Sequence, residues 1–329
     1  MKILYVNVIE LNEGWGAECF INRGFNRIGV ETITLDYRKH RFNLAEKLLK
    51  IGDFDALLLQ RGDYFPMDLL KCVNRPKFFW ASELVTRNRD QDRLLKSGVF
   101  NHIFVHSKEC KRIIVNEKKW VSSENVSILI NGFDEHVQYI DKECKKDIDI
   151  TFIGNILPRR RLILDNLKKN FNIYECQAYG ENMTKVFNRS KIVINIHAEN
   201  YLDTETRIFE ALGCGAFVIT EKLSSESPFI NNAHLVEVDN IEDLKDRIQY
   251  YLSNESERKI IAQNGYEEVM KKHRYINRAS EIKNIIEERT FALDHNLPAI
   301  NTKKVMRYRY KQPFINLSYK ITEFTNELR

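Results

Sequence analysis

The stretch Thr204–Thr220, TETRIFEALGCGAFVIT, combines charged residues, glycines and an apolar run in a pattern that could bind an anion. Arg207 and Glu210 are three residues apart and share one face of a predicted helix that begins near Thr206. The amino end of a helix presents free N–H groups and a partial positive charge. The arginine would suit a diphosphate there, and the glutamate a pair of ribose hydroxyls. The alternative is an exposed amphipathic helix with a surface ion pair, which contributes only about 0.3 kcal/mol.

A second cationic segment, IGNILPRRR, follows a predicted strand and carries Gly154 and Asn155 before three consecutive arginines. The glycine permits a tight turn, and Pro158 is favoured in the first turn of a helix. Arg160 and Arg161 would then emerge beside free N–H groups, where arginine binds phosphate with two parallel hydrogen bonds. A solvated helix start and salt bridges to a neighbouring domain are the alternatives.

Other candidates follow predicted strands, because ligands of an open parallel sheet bind at the carboxyl ends of its strands. The run KIVINIH ends with Asn195 and His197. After the first strand, Gly14 and Gly16 flank Trp15, and Asp36 lies about twenty residues further on, which faintly imitates a dinucleotide fingerprint. The third glycine is absent and the turn is not tight, so a loop close to some ligand, or a plain turn, fits better.

Composition excludes several classes of protein. The 329 residues, 43% hydrophobic and 29% charged, are typical of a soluble globular chain of about two domains. No apolar run approaches the length of a membrane span, and the N-terminus lacks a signal peptide, so we expect a cytoplasmic protein. The six cysteines and eight histidines show no metal-ligand spacing, and reduced thiols are expected. The net charge of +5 is concentrated in residues 303–329, which argues against a general nucleic-acid-binding surface.

Short apolar runs alternate with amphipathic segments through both halves of the chain. This alternation predicts an α/β architecture in which right-handed crossovers build parallel sheets covered by helices. We expect a Rossmann-like domain over 1–130, a linker over 131–148, a second Rossmann-like domain over 149–290 and a basic, aromatic tail over 291–329. The tail could cross back to pack on the N-terminal domain or lie on an anionic membrane surface.

The segment RIFEALGCGAFVIT, preceded by SKIVINIHAEN and followed by EDLKDRIQYYLSNESERKIIAQNG, resembles the C-terminal half of group 1 glycosyltransferases. The branch that it most resembles is that of the spore-maturation CgeB-like proteins. The similarity covers about residues 149–285, and VSILINGFDEHV is similar to the link between the two halves of these enzymes. The resemblance implies the GT-B fold, in which two Rossmann-like domains have parallel sheets that face each other across a cleft.

The resemblance also implies roles for individual residues. Glu210 would bind the donor ribose, Arg207 and an arginine of the 159–161 run would contact the diphosphate, and Tyr179 and Gly180 would lie near the base. The wider family places an acid eight residues before this glutamate, where the present chain has Leu202. The predicted donor-binding set is Gly154, Asn155, Arg160, Arg161, Tyr179, Gly180, Asn195, His197, Thr206, Arg207 and Glu210.

Transfer of a glycosyl group requires neutralisation of the charge that develops on the β-phosphate. Arginines and helix amino ends can supply this without a metal, so we expect no metal and no cofactor beyond the nucleotide sugar as co-substrate. The family resemblance implies a retaining reaction. Glu83 and His106 are the candidates for a catalytic or acceptor-contacting role, and Gly14, Trp15 and Gly16 are candidates for the acceptor loop.

Two other functions stay open on the sequence. A sugar-nucleotide epimerase would need carboxylates from both halves at one sugar, and a non-catalytic scaffold would bind nucleotide sugars without turnover. The predicted partners are a nucleotide-sugar donor and a glycan, lipid-linked or protein acceptor, with peripheral membrane contact through the tail as an addition and no nucleic acid. Asp203 and Glu205 lie near the position of the missing family acid.

Overall fold

The computed structural model describes residues 1–11, 14–83, 85, 89–198, 204–290 and 297–313. Contacts divide the chain into a first unit, Met1–Ile130 with Ala279–Arg329, and a second unit, Asn131–Arg278. This division differs from the predicted boundaries, since 131–148 belongs to the second unit and 279–290 to the first. The reason for the first difference is Phe133, which is fully buried and donates its backbone N–H to the carbonyl of His273 at 3.1 Å.

The first unit contains a six-stranded parallel sheet of order β2-β1-β3-β4-β5-β6. The central strands are buried almost throughout, as expected when helices cover both faces of a parallel sheet. The strands are β1 Lys2–Asn7, β2 Glu31–Asp36, β3 Ala56–Gln60, β4 Lys77–Ala81, β5 His102–Val105 and β6 Val126–Ile128.

The helices of the first unit are short. One of them, α4, was not predicted, because its sequence RDQDRLL has too few apolar residues to show a helical period. A π-helical turn, Ile113–Glu117, extends α5, and a short 3₁₀ turn follows at Ser123–Asn125. The helices are α1 Ala17–Arg27, α2 Leu44–Leu49, α3 Met67–Leu70, α4 Arg89–Leu95 and α5 Lys108–Arg112.

The described part of the C-terminal segment, 297–313, packs on the first unit. Val73 forms an antiparallel bridge with Ile300, and the carbonyl of Cys72 accepts a 2.8 Å hydrogen bond from Asn301. The sequence predicts a helix over 67–74, whereas α3 ends at Leu70, before this pairing. Residues 302–313 are helical and bury Val305 and Tyr308 in the core of the first unit.

The second unit contains a five-stranded parallel sheet of order β11-β10-β9-β7-β8. Its first strand, β7, has β8 on one side and β9 on the other. The chain therefore adds strands first on one side of β7 and then on the other, which makes β7 and β9 the topological switch point of the sheet. A crevice at the carboxyl ends of β7 and β9 follows from this topology. The strands are β7 Ile148–Ile153, β8 Ile173–Cys176, β9 Ser190–Asn195, β10 Val218–Glu221 and β11 Val236–Val238.

The sequence predicts six helices around this sheet, over 161–169, 183–188, 206–212, 241–252, 255–272 and 276–288, and the structure has a helix at each of these places. The last of them, α11, contains the boundary between the two units. No helix within the described ranges is long and apolar enough to cross a lipid bilayer. The helices are α6 Pro158–Leu167, α7 Gly180–Arg189, α8 Thr206–Gly213, α9 Ile241–Ser253, α10 Glu255–Lys272 and α11 Tyr275–Thr290.

Close packing of α10 on α8 depends on Gly265. A Cβ at this position would overlap the carbonyl oxygen of His234 and lie 2.8 Å from a methyl carbon of Leu212. We expect Gly265→Ala to lower the free energy of unfolding by about 1–3 kcal/mol, because the overlap outweighs the better helix propensity of alanine. Gly52→Ala is the control, since its Cβ would meet no atom within 4 Å. Urea unfolding followed by circular dichroism measures both, and equal midpoints would contradict the packing argument.

Candidate functional site

Three segments of the second unit meet at the crevice between β7 and β9: the turn after β7, the loop after β9 and the amino end of α8. Gly154 follows β7 with φ 147°, a conformation that favours glycine. A Cβ on Gly154 would lie only 2.8 Å from Nη1 of Arg207. The missing side chain therefore allows the guanidinium of Arg207 to lie directly against the backbone of this turn.

Arg207 lies in the first turn of α8, and its side chain is 21% exposed. Its Nε is buried without a hydrogen-bond partner in the described part of the chain. Nη1 lies 3.9 Å from Oε2 of Glu205, which is an ion pair without a close hydrogen bond. The guanidinium thus has a donor that no described group satisfies, which is compatible with a residue that binds an anion.

Glu210 lies one turn further along α8 and is partly buried. Among the described residues, its carboxylate has neither a hydrogen bond nor an ion pair, so the alternative of a surface pair with Arg207 is not what the structure contains. Burial raises the pKa of Glu210 to about 7, although the charge of Arg207 opposes this. An unpaired carboxyl group with such a pKa is typical of a ligand-binding position.

Arg160 is not positioned as the sequence suggested. Its guanidinium donates through Nε to the carbonyl of Ile196 at 2.8 Å, through Nη1 to the carbonyl of Asn155 at 3.1 Å and through Nη2 to Glu205 at 3.1 Å. The side chain is 7% exposed and lies over the ring of Phe152. All three nitrogens are engaged within the protein, so Arg160 joins the loops of the site instead of offering itself to a phosphate.

Glu205 is the residue through which these groups are connected. It is the N-terminal capping residue of α8, and its carboxylate contacts Arg160, Arg207 and Nδ1 of His197, the last at 3.9 Å. Although burial acts in the other direction, His197 and the arginines lower the pKa of Glu205. Two sequence candidates near it, Leu202 and Asp203, lie outside the described residues. The sequence left open whether Asp203 or Glu205 stands in for the missing family acid. Of these two, Glu205 is the one whose contacts within the site are described.

His197 is held on three sides. Its backbone N–H donates to Glu221 at 2.7 Å, and Nε2 lies 3.0 Å from the carbonyl of Lys222. Burial alone would lower the pKa of His197, but Glu205 and the Lys222 carbonyl raise it above its usual value. Arg159 pairs with Glu221 through both terminal nitrogens and also donates to the His197 carbonyl at 2.9 Å. Glu221 was not predicted, and its place at the end of β10 was the signal that could have identified it.

Of the other predicted donor-site residues, Asn195 and Thr206 lie at the crevice and Arg161 does not. Asn195 is buried and donates through Nδ2 to Thr220 at 3.0 Å, while Thr206 is the first residue of α8. Arg161 is 44% exposed and pairs with Asp165 and Glu175, contacts that do not include the residues of the crevice.

Tyr179 and Gly180 are in a different loop, where Tyr179 precedes α7 and is 50% exposed. Gly180 has φ 53° and begins this helix. The place of this loop beside the base stays a prediction.

The candidates of the first unit are also engaged within the protein. Oε1 of Glu83 accepts a 3.1 Å hydrogen bond from Arg61, which in turn lies 3.7 Å from the buried Glu18. Nε2 of His106 lies 3.9 Å from the thiol of Cys110. Glu83 therefore shares the cation of Arg61 with Glu18, and His106 contacts the thiol of Cys110.

The glycine loop of the first unit follows β1 and leads into α1. Gly14 and Gly16 have φ values of 90° and 95°, and the carbonyl of Gly16 accepts the first helical hydrogen bond from Phe20. Trp15 is 39% exposed between them. In the described ranges no three His, Cys, Asp or Glu side chains come together as metal ligands.

Comparison with known proteins agrees with this fold. Residues 142–284, somewhat less than half of the chain, match the family model described as "Glycosyl transferase-like". The uncharacterized protein R358 of Acanthamoeba polyphaga mimivirus is 28% identical over 134 residues, which is 37% of this chain. The match spans less than half of that relative, 46% of its length.

Solved structures share the fold over most of the chain. Sucrose-phosphate synthase from Thermosynechococcus elongatus has a TM-score of 0.63 at 14% identity, with 89% of this chain and 100% of that chain covered. Anabaena HepE in complex with UDP has a TM-score of 0.61 at 10% identity, with 88% and 100% covered. The fold is thus GT-B, with two parallel-sheet α/β domains, as predicted.

Arg160 and Arg161 are adjacent in sequence but have different partners: Arg160 bonds to loops of the crevice, whereas Arg161 pairs with Asp165 and Glu175. Variants of the two residues therefore form a matched pair. We expect Arg160→Met to lower the free energy of unfolding by about 3 kcal/mol, because Glu205 and two carbonyls lose a shared donor. Arg161→Met should change it by less than about 0.5 kcal/mol, because the guanidinium of Arg161 is exposed and Glu175 keeps a second ion pair, with Lys168 at 2.9 Å. Urea unfolding followed by circular dichroism compares the two, and equal effects would contradict the assignment of Arg160.

The raised pKa of Glu210 gives a pH dependence whose sign can be stated. The folded protein holds this proton more tightly than the unfolded chain, so the free energy of unfolding falls as pH rises from about 4.5 to about 7 and then levels off. The carboxyl group is partly accessible, so we expect a loss on the order of 2 kcal/mol. Glu210→Gln should remove this component. Urea unfolding of both proteins at pH 5 and pH 8 measures it, and parallel changes would contradict the shift.

Proposed function

We propose that this protein is a glycosyltransferase that moves a sugar from a nucleoside-diphosphate donor to a glycan, a lipid-linked sugar or a protein. The observation that carries the proposal is on α8, where the Nε of Arg207 has no hydrogen-bond partner among the described residues and the carboxyl group of Glu210 has no ion pair, beside the glycine turn where β7 and β9 are neighbours. Open parallel sheets bind nucleotides at this point. HepE, which shares the fold, was solved with UDP, and this supports UDP as the first nucleotide to test.

Each group has a role that fits its chemistry. Arg207, with the free N–H groups of the first turn of α8, would hold the diphosphate. Glu210 would accept hydrogen bonds from the two ribose hydroxyls, which favour its ionised form and so lower its pKa on binding. The base would lie toward the loop of Tyr179 and Gly180. Arg160 and Glu205 act by fixing the position of Arg207.

The reaction proposed for this site is retaining and needs no metal. As the bond between the sugar and the β-phosphate breaks, negative charge grows on the phosphate, and the guanidinium of Arg207 stabilises it. The leaving phosphate itself can accept the proton of the acceptor hydroxyl, so no strong protein base is required. Glu83, held by Arg61, would then contact the acceptor or sugar, with His106 as the second candidate.

The finer assignment rests on the sequence resemblance. We place the protein with the CgeB-like branch and with the transferases of hexosyl groups, acting in the cytoplasm. The described part of the basic tail packs on the first unit. Any contact with the inner membrane face would involve its exposed cations or residues 314–329.

Turnover with a panel of nucleotide sugars tests the activity directly. We expect slow release of free nucleoside diphosphate from one member of the panel, since water can replace the acceptor. Interconversion of the sugar without release would instead identify an epimerase. Binding without either reaction, with and without acceptor extracts, would identify a scaffold and contradict the proposal.

Arg207 and Glu210 can be distinguished by comparing UDP with uridine. Arg207→Met should weaken UDP binding by about 10- to 100-fold and leave uridine binding almost unchanged, because only UDP carries the diphosphate. Glu210→Gln should weaken both by a similar factor, because both carry the ribose. Calorimetry measures the affinities, with Arg161→Met as the control. Equal losses for both ligands in the Arg207 variant would remove its phosphate role.

A further inference from the structure

A cavity of about 900 Å³ lies at the opposite edge of the second unit's sheet, where the strands begin. Lys191 lies at the start of β9, and Phe217 directly precedes β10. A six-residue strand is about 20 Å long, so this cavity is well separated from the crevice at the carboxyl ends. Its charged lining residues are five cations and one carboxylate, namely Lys145, Lys146, Lys191, Arg258, Lys259 and Glu255.

Two of these cations are neutralised locally and three are not. Lys191 pairs with Asp149 at 2.6 Å and Lys259 with Glu255 at 2.5 Å. Lys145 is exposed and, among the described residues, has no ion pair. Lys146 is an exposed residue whose ammonium donates to the carbonyls of Asn188 and Ser190, and partial desolvation of that ammonium lowers its pKa.

Arg258 is the decisive residue of the cavity. It is only 6% exposed, yet its side chain makes one hydrogen bond, from Nη1 to the carbonyl of Tyr251 at 2.6 Å, and no ion pair within the described residues. Burial lowers its pKa, while the more distant Glu255 and Asp149 act in the other direction. No nitrogen of Arg258 is among the buried side-chain atoms that lack a partner in the described part of the chain, so its remaining N–H donors are accessible and can bind an anion in the cavity.

The remaining wall of the cavity is apolar. Ile140 packs over Gly215, where a Cβ would lie 2.9 Å from its terminal methyl carbon. Phe217 and Ala262 form the buried part of the wall, and Ile260 is 61% exposed at its edge. The volume is far larger than a phosphate ion requires and is within the range of cavities that hold small organic ligands.

We propose that this cavity binds a phosphate ester with an apolar substituent, the phosphate held by Arg258, Lys145 and Lys146 and the apolar part lying against Ile140 and Phe217. The arginine and the lysines would neutralise the charge of the phosphate group. Burial of an apolar substituent against the apolar wall would make the ester bind more tightly than inorganic phosphate. The phosphate ester comes either from an acidic lipid or from a soluble metabolite. This binding is independent of the nucleotide site on α8.

Calorimetry with octyl phosphate, below its micellar concentration, tests the proposal on the full chain. We expect octyl phosphate to bind at least fivefold more tightly than inorganic phosphate, and the neutral octyl glucoside not to bind. Lys145→Glu, at an exposed position, and Arg258→Gln should each weaken octyl phosphate at least fivefold. The control Lys169→Glu, an exposed lysine elsewhere on the second unit, should leave it unchanged.

Binding to lipid vesicles distinguishes an acidic lipid from a soluble metabolite as the source of the phosphate ester. Retention on phosphatidylcholine vesicles that contain phosphatidylglycerol, but not on phosphatidylcholine alone, would assign a lipid; octyl phosphate binding without retention would assign a soluble ester. UDP affinity should be unchanged in Lys145→Glu, which keeps this test independent of the proposed transferase activity. Absence of octyl phosphate binding, or equal binding by Lys145→Glu and the Lys169→Glu control, would overturn the proposal.

Discussion

The guanidinium of Arg160 is the contact on which the crevice of the second unit depends. It joins the turn after β7, the end of β9 and the carboxylate that precedes α8 through hydrogen bonds of 2.8 to 3.1 Å. Glu205, fixed in this way, lies between Arg160 and Arg207 and sets where the second guanidinium can be. Loops at strand ends have few other constraints, so a buried charged network is what gives this one a single arrangement.

Charged side chains in the crevice are less completely paired than several of those elsewhere on the surface. Several exposed arginines elsewhere pair with carboxylates, as Arg189 does with Asp147 and Arg112 with Glu109. On α8, Arg207 keeps a buried nitrogen without a partner, and Glu210 keeps an unpaired carboxyl group. Such groups lower stability in the absence of a ligand, and their persistence is best explained by a ligand that completes them. This contrast is stronger support for a binding site than the presence of charged residues alone.

The sequence was sufficient for the parallel α/β fold, which follows from the alternation of apolar and amphipathic segments, although it missed α4. It indicated Arg207 and Glu210 through their position after a strand, and their role stays a prediction. It was insufficient for the three consecutive arginines. Successive helical residues point about 100° apart, so Arg159 contacts Glu221, Arg160 points inward and Arg161 contacts Glu175. Which of them faces inward depends on partners far along the chain, namely Ile196, Glu205 and Glu221. The contact-based division differs from the predicted boundaries for a similar reason, since Phe133 is buried against a partner far along the chain.

The basic cavity at the other edge of this sheet has a competing structural explanation. Strands begin where the preceding helices end, and the carboxyl ends of helices attract cations. Lys146 does cap the last carbonyls around α7, and Arg258 caps one carbonyl near the end of α9. Capping accounts for one of the five N–H donors of Arg258, however, and for none of those of Lys145. The positive charge that remains after capping, beside an apolar wall with an exposed Ile260, is the part that helix ends do not explain.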